Sequence, residues 1–264
     1  MAMNAAQAQS WNDRGFFIER GFYARSVVEE MIERVVELVR TIDKGAQRPD
    51  LWPTPERRLA DQPKPEDRLA KLFRVMRTEE VFRSSATDPR LLSILAEMIG
   101  PDIDCFLSQF IFKHPGALGQ PWHQDDFYFR MTPLPQVGVW IACTAATLEN
   151  GPLWVVPGSH TEVIHDAVRD TRPDAGLAYV EIVDADTSSE EVVLMEPGDT
   201  LFFHSRLRHR STDNNSNDMR AAMVFHFAPP TTKGLRSPNQ DWVEVLRAGD
   251  AVSASTEPLP MVWS

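Results

Sequence analysis

From residue 101 onward the sequence is divided into short strand-like runs that are separated by turn signals rather than by helices. These runs cover 103–113, 121–130, 136–147, 152–157, 192–196, 200–211 and 219–227. Asn150-Gly151, Pro157-Gly158 and Pro197-Gly198 mark turns between several of them. Many short strands with few helices between them favour an antiparallel sandwich or barrel, because parallel strands need long crossover connections. The chain is therefore predicted to be mainly β with flanking helices.

The first hundred residues carry two helix patterns. Apolar residues recur at helical spacing over 26–42, and Ser26 and Glu29 have the spacing of a capping box. A second helix is predicted to begin after Asp88 and to end at Gly100. Both helices precede the strand-rich region, so we expect them to pack against the β-core.

The same patterns predict one domain that comprises residues 1–264. Its expected parts are a loose tail at 1–10, a mainly helical part at 11–100, with an irregular excursion at 43–67, a β-core at 101–230 and a C-terminal extension at 231–264. Within the core, 161–191 is a long polar segment of the kind that forms lids or binding loops.

Charge and composition exclude some classes of partner. The chain has 38 acidic and 27 basic residues, a net charge of −11. This disfavours nonspecific binding to nucleic acid and to anionic membranes, which both require cationic surface. The sequence shows neither a secretory signal nor a membrane-spanning apolar run, and Cys105 and Cys143 are predicted to be buried thiols. We expect a cytoplasmic protein.

The stretch PWHQDDFYF, residues 121–129, contains a candidate metal site. If it is a strand, His123 and Asp125 point to the same face and Asp126 to the opposite one. One imidazole and one carboxylate then face a single point. This pair alone is a weak signal, because His-x-Asp occurs often by chance.

A third ligand is predicted in GDTLFFHSRLRHRST, residues 198–212. Strand alternation places Arg206, Arg208 and Arg210 on one face, which is expected to point mostly at water. His209 then points inward. His204 points to the opposite face, unless a bulge at 205–206 resets the alternation. A hydrogen-bonded core histidine is the alternative interpretation of His209.

Arg220 is predicted to lie inside the core, because it shares a strand face with Ala222, Val224 and His226. A buried arginine without an anionic partner costs several kcal/mol, roughly 3–5 for a broken buried pair. The partner is either the carboxylate of a bound ligand or an acidic residue on another strand. The sequence leaves both open.

Together, His123, Asp125 and His209 match the two-histidine, one-carboxylate triad that binds iron(II) and leaves coordination positions open. The order and spacing of PWHQDDFYF, ENGPLWVVPGSH and GDTLFFHSRLRHRSTDNNSNDMR resemble the phytanoyl-CoA dioxygenase family of iron(II)- and 2-oxoglutarate-dependent oxygenases. The resemblance covers about residues 70–230. It implies a double-stranded β-helix (jelly-roll) core within a single oxygenase domain.

The resemblance also implies roles for individual residues. His123, Asp125 and His209 would bind Fe(II), and Arg220 would hold the C5 carboxylate of 2-oxoglutarate. Gln109, Trp140 and Lys71 fall on positions near that co-substrate, and ordinary barrel packing is the alternative for Gln109 and Trp140. Trp140 shares a face with Gly138 and Ala142, whose small side chains would leave room.

The implied reaction is the oxidation of a C–H bond by O2 with release of succinate and CO2. Because Asp125 completes the triad, the resemblance implies a hydroxylase or other oxidase rather than a halogenase. A zinc hydrolase on the same ligands and a non-catalytic jelly-roll binding protein are the alternatives. A zinc hydrolase leaves Arg220 unexplained, and a binding protein has no need of all three ligands.

The expected partner is a small-molecule substrate, and the protein is expected to be a monomer or homodimer. The segments 43–67, 161–191 and 231–264 are expected to select the substrate. His160 lies after the strand of ENGPLWVVPGSH and is interpreted as a turn residue rather than a ligand.

Overall fold

Strands dominate the computed structural model, which describes residues 2–184, 186–248 and 250–251. The strands are β1 Phe16–Glu19, β2 Trp52–Pro55, β3 Leu69–Phe73, β4 Ile103–Lys113, β5 Val137–Ala142, β6 Leu153–Val155, β7 Val168–Arg169, β8 Val180–Glu181, β9 Glu191–Val193, β10 Thr200–His204, β11 His209–Ser211, β12 Arg220–Ala228, β13 Val243–Arg247 and β14 Asp250–Ala251. The α-helices are α1 Ala5–Arg14, α2 Arg25–Asp43, α3 Glu80–Ala86, α4 Pro89–Ile99 and α5 Asp126–Phe129. Short 3₁₀ turns lie at Arg57–Leu59, Pro65–Arg68, Val75–Arg77 and Ser159–Thr161.

Two antiparallel sheets form the core. The large sheet has the order β1-β10-β5-β12-β4-β13-β14, and β3 pairs with both β4 and β2. The small sheet has the order β11-β6-β9, while β7 and β8 form a separate pair. The fold is the predicted jelly roll. The mainly helical N-terminal part and the C-terminal extension both add strands to its large sheet.

The large sheet is covered on both faces. In β12, successive side chains point alternately to the two faces and pack in two different apolar clusters. Met223, Phe225 and Phe227 belong to the apolar cluster that also contains the buried faces of α2, α3 and α4. Ala222 and Val224 belong to a second cluster shared with the small sheet. Burying each large apolar side chain of β12 stabilises the fold by about 1.5–3 kcal/mol. The inner face of β12 is therefore the one that can reach a site between the sheets.

The two predicted helices are present, with one difference at their ends. In α4 the side chain of Asp88 accepts a hydrogen bond from the backbone N–H of Arg90, and Gly100 follows the last turn, as predicted. In α2 the helix begins at Arg25, and Ala24 precedes it without a side-chain cap. The capping-box prediction for Ser26 was wrong, because Ser26 lies inside the first turn.

The prediction of a loose tail at 1–10 was wrong, because most of that segment is in α1. Its cap is Asn4, whose side chain accepts from the N–H of Gln7 while the Gln7 side chain accepts from the N–H of Asn4. Gly15 ends the helix in the left-handed conformation (φ 80°), which glycine adopts without strain. The local signal was the pair Asn4 and Gln7, a variant of the capping box.

Residues 121–130 do not form the predicted strand. His123 makes a single β-bridge and the chain then turns into α5. The buried carboxylate of Asp126 accepts from the N–H of Met131 at 3.0 Å and from Nε of Arg206 at 2.9 Å. These contacts stabilise a helical turn where an extended chain was expected.

The run 200–211 is two strands rather than one. A backbone hydrogen bond of 2.8 Å from the N–H of Leu207 to the carbonyl of His204 closes a turn between β10 and β11. The chain thereby passes from the large sheet to the small sheet. None of the helices within the described ranges is long and apolar enough to span a membrane.

Candidate metal site and adjoining cavity

A backbone bridge brings the two predicted histidine ligands together. The N–H of His123 donates to the carbonyl of His209 at 2.9 Å, and the N–H of His209 donates to the carbonyl of His123 at 3.0 Å. The two imidazole centroids are 4.1 Å apart. Both side chains therefore project from neighbouring backbone positions toward the same point.

Each imidazole is held in the tautomer that a metal ligand needs. Nδ1 of His123 lies 2.8 Å from the carbonyl of Pro121, and Nδ1 of His209 lies 2.9 Å from the carbonyl of Leu207. A carbonyl only accepts hydrogen bonds, so both Nδ1 atoms carry hydrogen and both Nε2 lone pairs are free. Burial, together with the neighbouring His123, lowers the pKa of His209 to about 4, so this imidazole is neutral at pH 7.

Asp125 supplies the carboxylate. Its Oδ1 lies 3.6 Å from Nε2 of His123 and 3.8 Å from Nε2 of His209. Burial alone would raise the pKa of Asp125, but His209, His123 and His226 together hold it well below its usual range. The convergence comes from the turn at the start of α5 and not from strand alternation, so the expected strand geometry was wrong.

The three donor atoms fit one metal ion. Ligand atoms of His123, Asp125 and His209 lie within 4.8 Å of one another, and all three side chains are buried. In the described part of the chain, no other group of three histidine, cysteine or acidic residues meets this condition. Two imidazole nitrogens and one carboxylate oxygen suit iron(II) and leave part of an octahedral shell open.

The triad opens into a cavity of about 350 Å³, a volume typical of small-molecule sites. The other predicted residues, Lys71, Gln109, Trp140 and Arg220, all line the same cavity. Residues that the sequence reasoning did not single out also line it, among them Glu56, Lys113, Gln120, Tyr128, Tyr179 and Ser211. Their side chains come from separate strands and loops, so only the fold brings them together.

Arg220 is fully buried and only partly paired. Its Nε and Nη2 donate to the carbonyl of Gly151 at 3.1 and 3.0 Å, while Nη1 has no hydrogen-bond partner among the described residues. Within the described ranges, no carboxylate oxygen lies within 4.0 Å of this guanidinium. Arg220 therefore forms no salt bridge across the barrel with a described residue. Burial lowers the pKa of Arg220 to about 10, and it remains cationic at pH 7.

Two lysines lie near Arg220, and burial, together with Arg220, lowers the pKa of Lys113 well below its usual range. Lys113 is the cross-strand partner of Arg220 in the β12–β4 register, and its Nζ donates to Oγ of Ser211 at 2.9 Å and to the carbonyl of Thr212 at 2.6 Å. Lys71 donates to Oε1 of Gln120 at 3.2 Å, and burial lowers its pKa to about 8. Like charges on directly opposed residues repel each other, so this wall favours an anion.

Two more polar atoms of the predicted set lack partners within the described residues. They are Oε1 of Gln109 and Nε1 of Trp140, both buried. The Trp140 ring also lies 5.5 Å from the Arg220 guanidinium. A buried polar group without a partner costs about 1–3 kcal/mol, so both atoms favour a polar ligand in the cavity.

The three segments expected to select a substrate each contribute to the cavity wall. Glu56 comes from 43–67, Ala178 and Tyr179 come from 161–191, and Ser237 and Asn239 come from 231–264. Residue 185 of the second segment and residues 249 and 252–264 of the last segment lie outside the described residues.

Gly138 does not leave open space beside Trp140, because Phe203 fills it. A Cβ at position 138 would lie 2.2 Å from the end of the Phe203 ring. That ring is buried and packs against His209, with the ring centroids 5.2 Å apart, so it has little freedom to move.

Gly138→Ala is therefore expected to lower the free energy of unfolding by about 1–3 kcal/mol, as overpacking does in other cores. Urea unfolding of the purified variant measures this change. The double variant Gly138→Ala/Phe203→Leu should recover part of the loss, since a smaller side chain relieves the collision. A single variant as stable as the wild type would contradict the overpacking argument.

The three arginines of 206–210 point away from the metal site, as predicted, but they are not mostly solvated. Arg208 is buried and donates to the carbonyl of Asp186 at 2.8 Å and to Glu162 at 3.1 Å. Arg210 lies between two tryptophan rings, about 5 Å from each, and pairs with Glu190. The polar segment 161–191 covers this face, which strand alternation alone does not reveal.

His160 and His204 form a separate pair away from the triad. Their ring centroids are 5.5 Å apart, and Trp11 of α1 packs on His204 at 5.7 Å. Neither residue lines the cavity. His209, and not His204, faces the triad and its cavity.

Known proteins share both the sequence pattern and the fold. A model of the family described as phytanoyl-CoA dioxygenase (PhyH) matches residues 11–222. The chain belongs to the phytanoyl-CoA dioxygenase family. It is 31% identical over 227 residues to the peroxisomal phytanoyl-CoA dioxygenase of Mus musculus, covering 81% of this chain and 67% of that protein.

Other family members align over different lengths. Phytanoyl-CoA dioxygenase domain-containing protein 1 of Mus musculus is 26% identical over 262 residues, covering 85% of this chain and 90% of that protein. The Danio rerio and Rattus norvegicus proteins of that name are 31% identical, but the match spans only 53% and 58% of their lengths.

Solved structures show the same fold. The non-heme monooxygenase ThoJ, in its apo form, has a TM-score of 0.71 at 18% identity and covers 93% of this chain and 86% of its own. The epimerase SnoN, solved with Fe3+, alpha ketoglutarate and nogalamycin RO, has a TM-score of 0.66 at 17% identity and covers 88% and 86%. At such identities the likeness establishes the fold that the two sheets already describe.

Proposed function

We propose that this protein is an iron(II)- and 2-oxoglutarate-dependent dioxygenase that hydroxylates an unactivated C–H bond of a small molecule. One observation carries the proposal. The triad of His123, Asp125 and His209 faces the same cavity as a fully buried arginine, and that arginine has no carboxylate partner among the described residues. A metal site beside a site for an anion fits a co-substrate that both chelates iron and carries a distant carboxylate.

Each residue has a definite task in this proposal. His123, Asp125 and His209 hold the iron. Arg220 donates from its free Nη1 to the C5 carboxylate of 2-oxoglutarate in a charge-assisted hydrogen bond.

Three further cavity residues complete the co-substrate site. Lys71 adds positive charge, Gln109 and Trp140 offer their unpartnered polar atoms, and the Trp140 ring forms a wall of the same site. These placements agree with the family membership of the chain. When bound, iron(II) with 2-oxoglutarate and O2 supplies the oxidising chemistry, with release of succinate and CO2.

The protein's own part is to orient the substrate and to exclude water. Phe73, Leu107, Phe129 and Phe203 give the cavity apolar walls, and the three wall segments named above are proposed to select the substrate. We propose one oxygenase domain over 1–264. Cytoplasmic location and a monomeric or homodimeric state remain predictions from the sequence.

The rival functions account for less of the site. A zinc hydrolase on the same triad gives Arg220 no role, and the sequence has no HExxH helix to supply a general base. A non-catalytic binding protein needs no complete triad. Both rivals predict that O2 consumption does not depend on 2-oxoglutarate.

Measuring O2 uptake and succinate together tests the proposal. Protein loaded with iron(II) should consume O2 only when 2-oxoglutarate is added, with succinate formed in parallel, and protein loaded with zinc should do neither. No 2-oxoglutarate-dependent uptake by iron-loaded protein, even with pools of candidate small-molecule substrates, would reject the dioxygenase.

Asp125→Gly is expected to abolish hydroxylation and succinate formation, because the metal loses its only anionic protein ligand. Chlorination is not expected to appear, since substrate placement also determines that outcome. Asp67→Gly is the matched control, since this carboxylate also faces a histidine, His114, but does not line the cavity, and the variant should form succinate at the wild-type rate. Succinate formation at the wild-type rate in Asp125→Gly would remove Asp125 from the ligand set.

A further inference from the structure

The carboxylate of Asp125 has two oxygens with different surroundings. Oδ1 faces Nε2 of His123 and of His209, at 3.6 and 3.8 Å. Oδ2 lies 2.8 Å from Nε2 of a fourth histidine, His226. One oxygen is therefore directed at the metal position and the other is engaged by a protein donor.

His226 is rigidly held. It lies on β12, on the same face as Arg220, and its side chain is 2% exposed. Its ring packs against Phe129, Phe106 and Phe203, with centroids 5.3, 5.8 and 6.0 Å away. A ring fixed on a central strand by three aromatic neighbours is a precise anchor for a hydrogen bond.

Asp125 is less constrained by its own backbone. It precedes the four-residue helix α5 and does not cap it with its side chain. Within the described ranges, His226 is the donor that forms a hydrogen bond to this carboxylate. The orientation of the carboxylate thus depends on a residue from a distant strand.

The tautomer of His226 follows from the same contact. A carboxylate accepts hydrogen bonds, so Nε2 of His226 carries the hydrogen. Its Nδ1 is buried and has no partner in the part of the chain that the structure describes. Because Nε2 carries this hydrogen, it has no lone pair for a metal, so His226 acts as a donor to Asp125 and not as a fourth metal ligand through that atom.

We propose that His226 is a positioning residue that keeps Asp125 bound to the metal through one oxygen only. This inference rests on the proposed function. A carboxylate that turned to bind through both oxygens would fill a coordination position that the co-substrate or O2 requires. The hydrogen bond to Oδ2 opposes that rotation and fixes the direction of Oδ1.

Two substitutions separate this role from simple packing. His226→Leu keeps much of the apolar volume and removes the donor, while His226→Gln retains an N–H close to the position of Nε2. We expect His226→Leu to weaken iron(II) binding by about 10–100-fold, the usual cost of losing an outer hydrogen-bond partner of a metal ligand. His226→Gln should restore most of that affinity.

His114→Leu is the matched control. His114 is also buried and its Nδ1 lies 3.2 Å from the carboxylate of Asp67, but neither residue lines the cavity. Losing this histidine–aspartate contact should leave iron affinity unchanged while costing similar thermal stability.

Anaerobic titration measures the iron(II) affinity of each variant, and the melting temperature of the apo protein is measured in parallel. The titration is repeated with cobalt(II), because its absorption reports the coordination geometry. Weak binding by His226→Leu, rescue by His226→Gln and a changed cobalt spectrum only in the leucine variant would support the inference. Equal affinities for wild type and His226→Leu, or equal losses in the leucine and glutamine variants, would overturn it. Wild-type protein that binds neither metal would instead reject the proposed function itself.

Discussion

His209→Ala is expected to lose iron(II) binding and, with it, all 2-oxoglutarate-dependent O2 uptake. The variant removes one of three ligands and also the partner ring that packs at 4.1 Å against His123. Loss of a direct ligand should cost at least the ~100-fold in affinity that loss of an outer partner reaches. Anaerobic iron titration with a colorimetric competitor measures the dissociation constant.

The matched control for this variant is His204→Ala. His204 is also buried and its pKa is also lowered to about 4, mainly by burial, but it packs on Trp11 and His160 instead of the triad. Normal iron binding by His204→Ala is expected. If His209→Ala bound iron normally and His204→Ala did not, the assignment of His209, rather than His204, to the metal site would be wrong.

Arg220→Ala is expected to weaken 2-oxoglutarate binding at least tenfold while iron remains bound. Tenfold corresponds to about 1.4 kcal/mol, and a hydrogen bond to a charged group contributes roughly 1.5–3 kcal/mol. Arg220→Lys should fall between wild type and Arg220→Ala, since it keeps the charge and loses the planar fork. Calorimetric titration of 2-oxoglutarate into iron-loaded protein under nitrogen measures all three affinities.

The competing account of Arg220 makes a different forecast for the same variants. If the guanidinium only supports the barrel through the carbonyl of Gly151, Arg220→Ala should lower the melting temperature of the apo protein and leave 2-oxoglutarate affinity unchanged. Superimposable titration curves for wild type and Arg220→Ala would remove the carboxylate-binding role of Arg220.

Regular strands were the part of this protein that its sequence predicted best. β4 has the predicted bounds, 103–113, and β12 keeps one alternation along its length, so Arg220 faces the cavity as expected. Alternation is a local property of an extended backbone, and it holds as long as the strand does. The family resemblance added the roles that alternation alone left open.

The errors lie where a distant contact overrides the local pattern. The turn at α5 depends on Arg206, and Arg206 is eighty positions from Asp126 in sequence. The contact between His226 and Asp125 and the pairing of Lys113 with Arg220 both depend on sheet register. No spacing in the sequence encodes that register, so the geometry of the site could not be predicted from the sequence.

We propose that iron at the triad and 2-oxoglutarate at Arg220 share one cavity. The most direct measurement adds 2-oxoglutarate to iron(II)-loaded wild-type protein under nitrogen and follows the metal-to-ligand charge-transfer absorption. We expect a band that saturates at one 2-oxoglutarate per iron. Iron bound at the triad with no such band at saturating 2-oxoglutarate would contradict it.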